Sequence, residues 1–494
     1  MFILSKENTY KLEETVKNTY GISELILMEN AGIALFNHIK NMIKQESRIL
    51  ILAGPGSNGG DGFVLMRHLY VHNYNADIYY PVDKNKYGSA AENNLSILNS
   101  LNIPLYNLAE LENIDEYDVI IDALFGIGLN KKLDGIYKEI IEKANNSNAL
   151  KIAVDISSGL ICDSPALPEC AFNADYTITF SALKYCHVLY PAKKYSGQVI
   201  TANISIPYNI IADFESDILI NEYNLPNILK REPDSHKGSF GKVCLIGGSY
   251  EMAGAVKIAA ISALHSGCGL ISLIHPDNLD RNFISDIPEI MTKQFNYNEP
   301  DTVCSFINNS ATVYSIGNGM GRSENVKEFI LHVVKNALKP AVIDADACNA
   351  LSLDDLNDIK SEVIITPHLA EFAHLTGKNI DEIKENKLAL AKEFADKYNI
   401  YLILKSAETI IAVPNDKTYI LNTGNTALSK GGSGDALCGL TVSLAAQGYS
   451  LKDACILAVY ILGKSAEKAV EYYNPATLSI TQIINYYSEV LNEI

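Results

Sequence analysis

Apolar residues in this chain fall into short unbroken runs set between polar stretches with helical spacing. Residues 6–19 are polar and charged at helical intervals, and a second helical pattern runs from about Ser23, an N-cap residue, to Lys44. Arg48-Ile49-Leu50-Ile51-Leu52-Ala53 then reads as a buried strand, residues 63–72 as a helix and residues 76–82 as the next strand. Strands end again at Val119-Ile120-Ile121-Asp122-Ala123 and Ala153-Val154-Asp155. The pattern fades after Asn203-Ile204-Ser205-Ile206-Pro207, and Glu232-Pro233-Asp234-Ser235 is a turn cluster. Strands and helices resume with strands at 243–246, 270–275, 312–316, 341–345, 363–366 and 401–404 and a small-residue helix at 254–266. A hairpin of 409–413 and 418–421 turns at Pro414-Asn415-Asp416-Lys417, and an apolar helix runs over 436–446. Continuous apolar strands alternating with helices predict α/β architecture with mostly parallel sheets covered on both faces.

Length divides this pattern in two. At 494 residues the chain is about three times the usual domain length, so two domains are expected, over 1–215 and 220–494 with the boundary near 215–225. With 48% hydrophobic and 20% charged residues the composition is that of an ordinary globular protein. The net charge of −18 argues against a nucleic-acid groove, so a phosphorylated ligand should be small and held by backbone N–H groups, a few lysines and metal ions. Nine cysteines form no CxxC pair, are odd in number and lie mostly in apolar runs, which predicts reduced core thiols and a cytoplasmic protein. The N-terminal apolar run is too short for a signal peptide, and no stretch reaches about 18 apolar residues, so neither secretion nor membrane residence is expected.

Candidate chemistry sits at strand ends. Gly54-Pro55-Gly56-Ser57-Asn58-Gly59-Gly60-Asp61-Gly62 follows the first strand, and Gly54, Gly56 and Gly59 satisfy GxGxxG, so a dehydrogenase is one reading. That fingerprint wants an acidic residue at the end of the second strand, whereas Asp77 stands at its start and Asp83 comes late. Asn58 and Asp61 put polar side chains into a turn that needs only backbone, which suggests contacts to a ligand or cation. Asp122 before Gly126-Ile127-Gly128-Leu129-Asn130 and Asp155 before Ser157-Ser158-Gly159 repeat the arrangement. His68 and His72 are at i, i+4 spacing without the glutamate of a zinc-protease helix and read as helix-surface residues; Glu29 alone reads as a solvated helix residue.

In the second half, Lys430-Gly431-Gly432-Ser433-Gly434-Asp435 stands before the apolar helix. Its free N–H groups and helix dipole suit a phosphate, and Asp435 in the first turn could take a proton from an attacking hydroxyl. The plain alternative is a Gly-rich surface turn. Gly317-Asn318-Gly319-Met320-Gly321 offers a close backbone approach, Asp344-Ala345-Asp346 two carboxylates suited to Mg²⁺-bound phosphate or to capping a helix, and Thr366-Pro367-His368 and Leu404-Lys405 a donor and a cation.

MENAG at 28–32, NGGDG at 58–62, DALFGIGL at 122–129 and VDISSG at 154–159 resemble the N-terminal domain of the bifunctional NAD(P)H-hydrate repair enzymes, the NAD(P)H-hydrate epimerase. HKGSFG at 236–241, Pro288-Glu289, GNGMG, DADACN, TPH, LK and GGSGD resemble their C-terminal, nucleotide-dependent dehydratase. The resemblance implies a Rossmann-like three-layer sandwich followed by a ribokinase-like α/β domain. It implies potassium held by Asn58, Asp122 and Ser158, and a hydrate site lined by Ser57, Asn58, Gly59, Gly60, Asp61, Gly126, Ile127, Gly128, Leu129, Asn130, Lys131, Lys132 and Asp155, with Asp155 as acid/base. In the second domain it implies Asp435 as the base, Ala255, Gly319, His368 and Asp435 on the hydrate, and Lys405, Ser406, Ala407, Glu408, Thr409 and Gly434 on ADP or ATP, with Mg²⁺. The implied reactions are epimerisation of the (R) hydrate of NADH or NADPH to (S), and dehydration of the (S) form after phosphorylation of its hydroxyl. A homo-oligomer is expected, with no nucleic-acid or membrane partner.

Several residues depart from the family pattern: Ser57, Asn318, Leu369-Ala370, Ser406 with Glu408, and Ser429-Lys430. Glu408 would repel nucleotide phosphates unless it points away, and Lys430 is a cation that could offset it. A ribokinase-like small-molecule kinase or a non-catalytic nucleotide-binding scaffold are the alternatives; the first leaves residues 1–215 unexplained.

Overall fold

The computed structural model describes residues 1–81, 88–214 and 216–494, so Asp83 lies outside the described residues. The chain divides into two compact units, Met1–Ile218 and Leu219–Ile494.

The first unit holds a seven-stranded, fully parallel sheet in the order β4-β3-β2-β5-β6-β7-β8. Its strands are β2 (Arg48–Ala53), β3 (Asn75–Tyr80), β4 (Leu105–Asn107), β5 (Val119–Ala123), β6 (Leu150–Val154), β7 (Tyr176–Phe180) and β8 (Gln198–Ala202); β1 (Phe2–Ile3) pairs antiparallel with β9 (Asp217–Leu219) apart from it. The unbroken apolar run of β2 serves both faces: Ile49, Ile51 and Ala53 enter one core cluster, Leu50 and Leu52 the other. Helices α2 (Glu24–Ile39), α3 (Ser57–Val71) and α4 (Ser89–Ser100) supply Leu35, Phe63 and Leu98 to the first, and α5 (Gly135–Asn146) supplies Ile140 and Ile141 to the second. This is the expected three-layer sandwich. Strand order reverses between β2 and β5, so the loops leaving their carboxyl ends open a crevice there.

Helix α2 is capped by the Ser23 side chain, as expected, although it stops at Ile39; helix α1 (Lys6–Tyr20) is capped by the Ser5 side chain. The glycine loop is corrected. Residues 57–62 are the first turns of α3, which begins six residues before the expected start at 63. Gly59 permits this, because a methyl there would stand 2.0 Å from the Gly54 carbonyl oxygen. Glu29 and His68 are corrected too: Glu29 accepts from Arg67 and, at 3.0 Å, pairs with His68 Nε2, and both side chains are partly buried between α2 and α3. Asp77 accepts from Arg48 and the Tyr117 hydroxyl, a structural role.

The second unit contains the sheet order β18-β17-β16-β15-β14-β13-β10-β11-β12. Strands β10 (Lys242–Ile246), β11 (Leu270–Pro276), β12 (Met291–Phe295), β13 (Val313–Ile316), β14 (Ala341–Ile343), β15 (Val363–Ile365) and β16 (Tyr401–Leu404) are parallel, and the hairpin of β17 (Thr409–Ala412) and β18 (Thr418–Leu421) adds an antiparallel edge. Order reverses between β10 and β13, the two strands that run into Gly247-Gly248 and Gly317-Asn318. Helices Ala253–His265 and Ser433–Ala446 pack closely where a methyl on Gly439 would meet the Ala259 carbonyl oxygen at 2.0 Å. Edge strand β12 was not foreseen: Met291, Thr292, Lys293 and Gln294 are exposed, so no buried run marks it. All nine cysteines are free, seven of them buried.

Candidate functional site

The crevice of the first unit gathers Asp155, Asp122, Asn58 and Ser158. Asp155 follows β6 with a backbone φ of 60°, a conformation that costs a non-glycine residue of order 1–3 kcal/mol and turns its side chain out of the strand. Its Oδ1 accepts from Lys184 Nζ at 2.6 Å and Thr179 Oγ1 at 2.9 Å; Lys184 Nζ donates also to Thr179 Oγ1 and the Phe180 carbonyl. Lys184 is 2% exposed. Burial alone would raise the Asp155 pKa, but the Lys184 ammonium outweighs it and holds the carboxyl below its usual value, so Asp155 is a carboxylate. Its Oδ2 accepts no hydrogen bond from a described residue. His187 beside this pair is pushed down to about 3 by burial and then by Lys184, so it is neutral.

Ser57, Asp61, Ile127 and Asp155 line one pocket with Glu13 of α1, Glu24 of α2 and Lys184. Asp61 is buried, and burial, then the charges of Asp155 and Glu13, raise its pKa well above normal. Gly126 stands beside both Asn58 and Asp155: a methyl there would be 3.1 Å from Asn58 Oδ1 and 3.5 Å from Asp155 Oδ2. The rest of that loop turns away. Leu129 is buried, Gly128 accepts from Lys6 through its carbonyl, and Asn130, Lys131 and Lys132 are exposed, Lys132 in an ion pair with Glu169.

Asn58, Asp122 and Ser158 are all buried. Asp122 accepts from Ser158 N and Ser158 Oγ at 2.7 Å each and from Leu124 N at 3.2 Å, while burial pushes its carboxyl up to about 6. The Asn58 amide nitrogen is buried without a hydrogen-bond partner among the described residues. An amide is placed by its partners, and rotating this one would present its oxygen instead. Oxygen donors with one carboxylate and an unsatisfied amide fit a monovalent cation.

The second site forms at the carboxyl ends of β13, β14, β15 and β16. Asp435, in the first turn of helix Ser433–Ala446, accepts from Asn318 Nδ2 at 2.7 Å, and the same nitrogen donates to Asp344 Oδ2 at 3.1 Å. Asp344 Oδ1 accepts from Thr366 Oγ1 at 2.6 Å and Lys405 Nζ at 2.9 Å. Burial would lower the Lys405 pKa, but Asp344 and Glu371 raise it above normal, so it stays a cation. Asp435 is pushed up to about 6, first by burial and further by Asp344, against the Asn318 hydrogen bond. Gly434 touches this group, since a methyl there would be 3.2 Å from Lys405 Nζ, and Gly319 meets Ala255, whose Cβ would lie 3.0 Å from such a methyl. Gly432 is the N-cap with φ 95°, and no side chain among the described residues caps the helix.

Two expectations change here. The side chain of Glu408 is fully buried and paired with Lys387, so it faces the core and does not repel phosphates. Lys430 donates to the carbonyls of Ala476 and Leu478 and offsets nothing at the nucleotide loop. Asp346 accepts from Gly321 N at 2.8 Å and holds the GNGMG turn, and among the described residues no group of three or more His, Cys, Asp or Glu could hold a metal. His368 caps its helix, accepting from Ala370 N and Glu371 N through Nδ1, which leaves Nε2 to carry the proton, near Glu371. Sequence reasoning missed Lys184, Glu13 and the bridging role of Asn318; the last was visible only as a departure from the family pattern.

A family model described as NAD(P)H-hydrate dehydratase matches residues 243–488, and one described as YjeF-related protein N-terminus matches residues 24–186. The bifunctional NAD(P)H-hydrate repair enzyme of Dictyoglomus turgidum is 31% identical over 100% of this chain and 99% of its own. The chain belongs to the bifunctional NAD(P)H-hydrate repair enzyme family. The Escherichia coli relative of the same description is 30% identical over 97% of this chain and 92% of its own. Among solved structures, the ADP/ATP-dependent NAD(P)H-hydrate dehydratase from Bacillus subtilis, co-crystallised with ATP/Mg²⁺, is 28% identical, covering 54% of this chain and 94% of that one at a TM-score of 0.49. No helix among the described residues is long and apolar enough to cross a membrane.

Proposed function

We propose that the first unit epimerises the (R) hydrate of NADH or NADPH to (S), and that the second dehydrates the (S) hydrate with ADP or ATP as phosphoryl donor. The observation that carries this reading is the chain Asp435–Asn318–Asp344–Lys405 at the uncapped start of helix Ser433–Ala446. A base, an anion cradle and a fixed cation converge on one point, as transfer of a phosphoryl group to a hydroxyl requires. Asp435 accepts the hydroxyl proton of the hydrate, and the oxygen attacks the terminal phosphorus. The first-turn N–H groups around Gly432 to Gly434 stabilise the transferring phosphoryl, with Lys405 beside them. The ring nitrogen then expels phosphate, and loss of a proton from the neighbouring carbon restores the dihydronicotinamide. Hydroxide, a poor leaving group, thus departs as phosphate. Asp344 has its oxygens engaged by Lys405, Thr366 and Asn318, so Mg²⁺ would be brought by the nucleotide phosphates and would offset their charge.

In the first unit Asp155 moves a proton at its free Oδ2 while Lys184 keeps it ionised. Asn58, Asp122 and Ser158 would hold potassium, which would supply positive charge beside the hydrate. The protein is assigned to the cytoplasm, as a homo-oligomer.

The test is incubation of the purified protein with mixed (R) and (S) hydrates, Mg²⁺, K⁺ and ADP or ATP in parallel. Full recovery of dihydronicotinamide absorbance is expected with at least one donor. No recovery with either would sink the proposal, and recovery of the (S) fraction alone would remove the epimerase half.

A further inference from the structure

We propose that Glu13, on α1, is a second acid/base catalyst of the epimerase pocket, acting on the carbinolamine from a different wall than Asp155. The inference rests on the epimerase reading of that pocket and adds a residue to it.

Inverting a carbinolamine carbon by loss and return of water places the departing hydroxyl and the incoming water on opposite faces of a planar intermediate. One carboxylate on one wall reaches one face. Asp155 and Lys184 occupy the wall at the end of β6, and Lys184 is committed to Asp155 Oδ1. Thr9, Leu12 and Glu13 come from α1, the i, i+3, i+4 face of a helix that otherwise buries Leu12 and Val16. Glu13 is half-buried there and makes no hydrogen bond or ion pair with any described residue. An independent feature marks the same space as a ligand site: the Asp61 side chain, 9% exposed, lines it without a hydrogen-bond partner among the described residues.

The step balances. Protonated Glu13 gives its proton to the hydroxyl, the C–O bond breaks, and the ring-nitrogen lone pair forms the iminium as water leaves. Water adds to the other face, its oxygen forming the new C–O bond, and its proton passes to Asp155. Exchange of one proton between the two carboxyls and solvent restores the resting state. Protonation states agree with the assignment. Burial first, then the Asp155 charge and that of Glu24, against Lys184, push Glu13 up to about 7, while Asp155 is held ionised. The charged and titratable groups facing Glu13 are Tyr10 on its own helix, Glu24 on α2, Asp61 on α3, and Asp155 with Lys184.

The experiment follows consumption of the (R) hydrate, above its uncatalysed rate, by the full chain on either side of pH about 7. The wild type should lose rate as pH rises through that value, because the acid loses its proton. Glu13→Gln should fall about 100-fold or more and lose that limb. Glu13→Asp should keep the limb at a reduced rate. Dehydration of the (S) hydrate by the same preparations checks that the chain is folded. A Glu13→Gln protein with the wild-type rate, or with a lower rate and the limb intact, would overturn the inference; a wild type that does not epimerise would instead overturn the reading beneath it.

Discussion

The base proposed at Asp435 owes its raised pKa to its position. Burial raises its pKa to about 6, and Asn318 holds one oxygen toward the site. A base must be ionised to work, so dehydration should run at full rate above that value and be lost as pH falls through it; a profile of kcat/KM for the (S) hydrate flat down to pH about 4, the range of an unperturbed carboxylate, would contradict this. Asp435 could be read in sequence from the glycine turn before it, and Asp155 and Lys405 from strand ends. Lys184 could not, because its partner lies 29 positions away and only the pairing of β6 with β7 brings them together. Glu13 was hidden for another reason. A polar helix gives no sign of which glutamate faces a pocket until α1 is packed.

The departure at Glu408 is settled at the level of elements. Its carboxylate points back from the turn between β16 and β17 into the helix Ile380–Tyr398, where it meets Lys387, next to the non-helical Asn386. Burial lowers the Lys387 pKa to about 8. Removing one partner of a buried pair leaves the other uncompensated, so Lys387→Met should destabilise the chain by about 3–5 kcal/mol. Adding Glu408→Gln to it should recover most of that loss, as the coupling in a double-mutant cycle. Urea denaturation checks both, and additive losses would mean the two side chains do not interact. Strands were legible where both faces are buried, as in β2, β5 and β10, since a continuous apolar run has few other fates. Edge strand β12 was not, because four of its five residues are exposed and only Phe295 is buried. The start of α3 was misplaced because glycines suggest a loop, whereas here they are the residues small enough for a helix to begin against β2 and β5.

Over the whole molecule, the two proposed sites lie in separate units, each with its own proposed acid/base group. Asp155→Asn should slow conversion of the (R) hydrate and spare dehydration of (S), and Asp435→Asn should do the reverse. An equimolar mixture of the two variants should convert mixed hydrates completely, because the intermediate is a diffusible small molecule. Failure of the mixture, with each variant holding its remaining activity, would show that the hydrate does not pass between chains. The sequence by itself determined the α/β class, the two-part division, the Ser23 cap of α2 and the strand-end positions of Asp122, Asp155, Asp344 and Lys405, because local apolar period and turn chemistry act over a few residues. Tertiary structure alone decided which side chains oppose each other across a crevice. Lys184 reaching Asp155, Asn318 bridging Asp344 to Asp435, Glu408 turning to Lys387 and Glu13 entering a pocket all depend on charge and burial between elements far apart in the chain, and that energy has no local pattern to read.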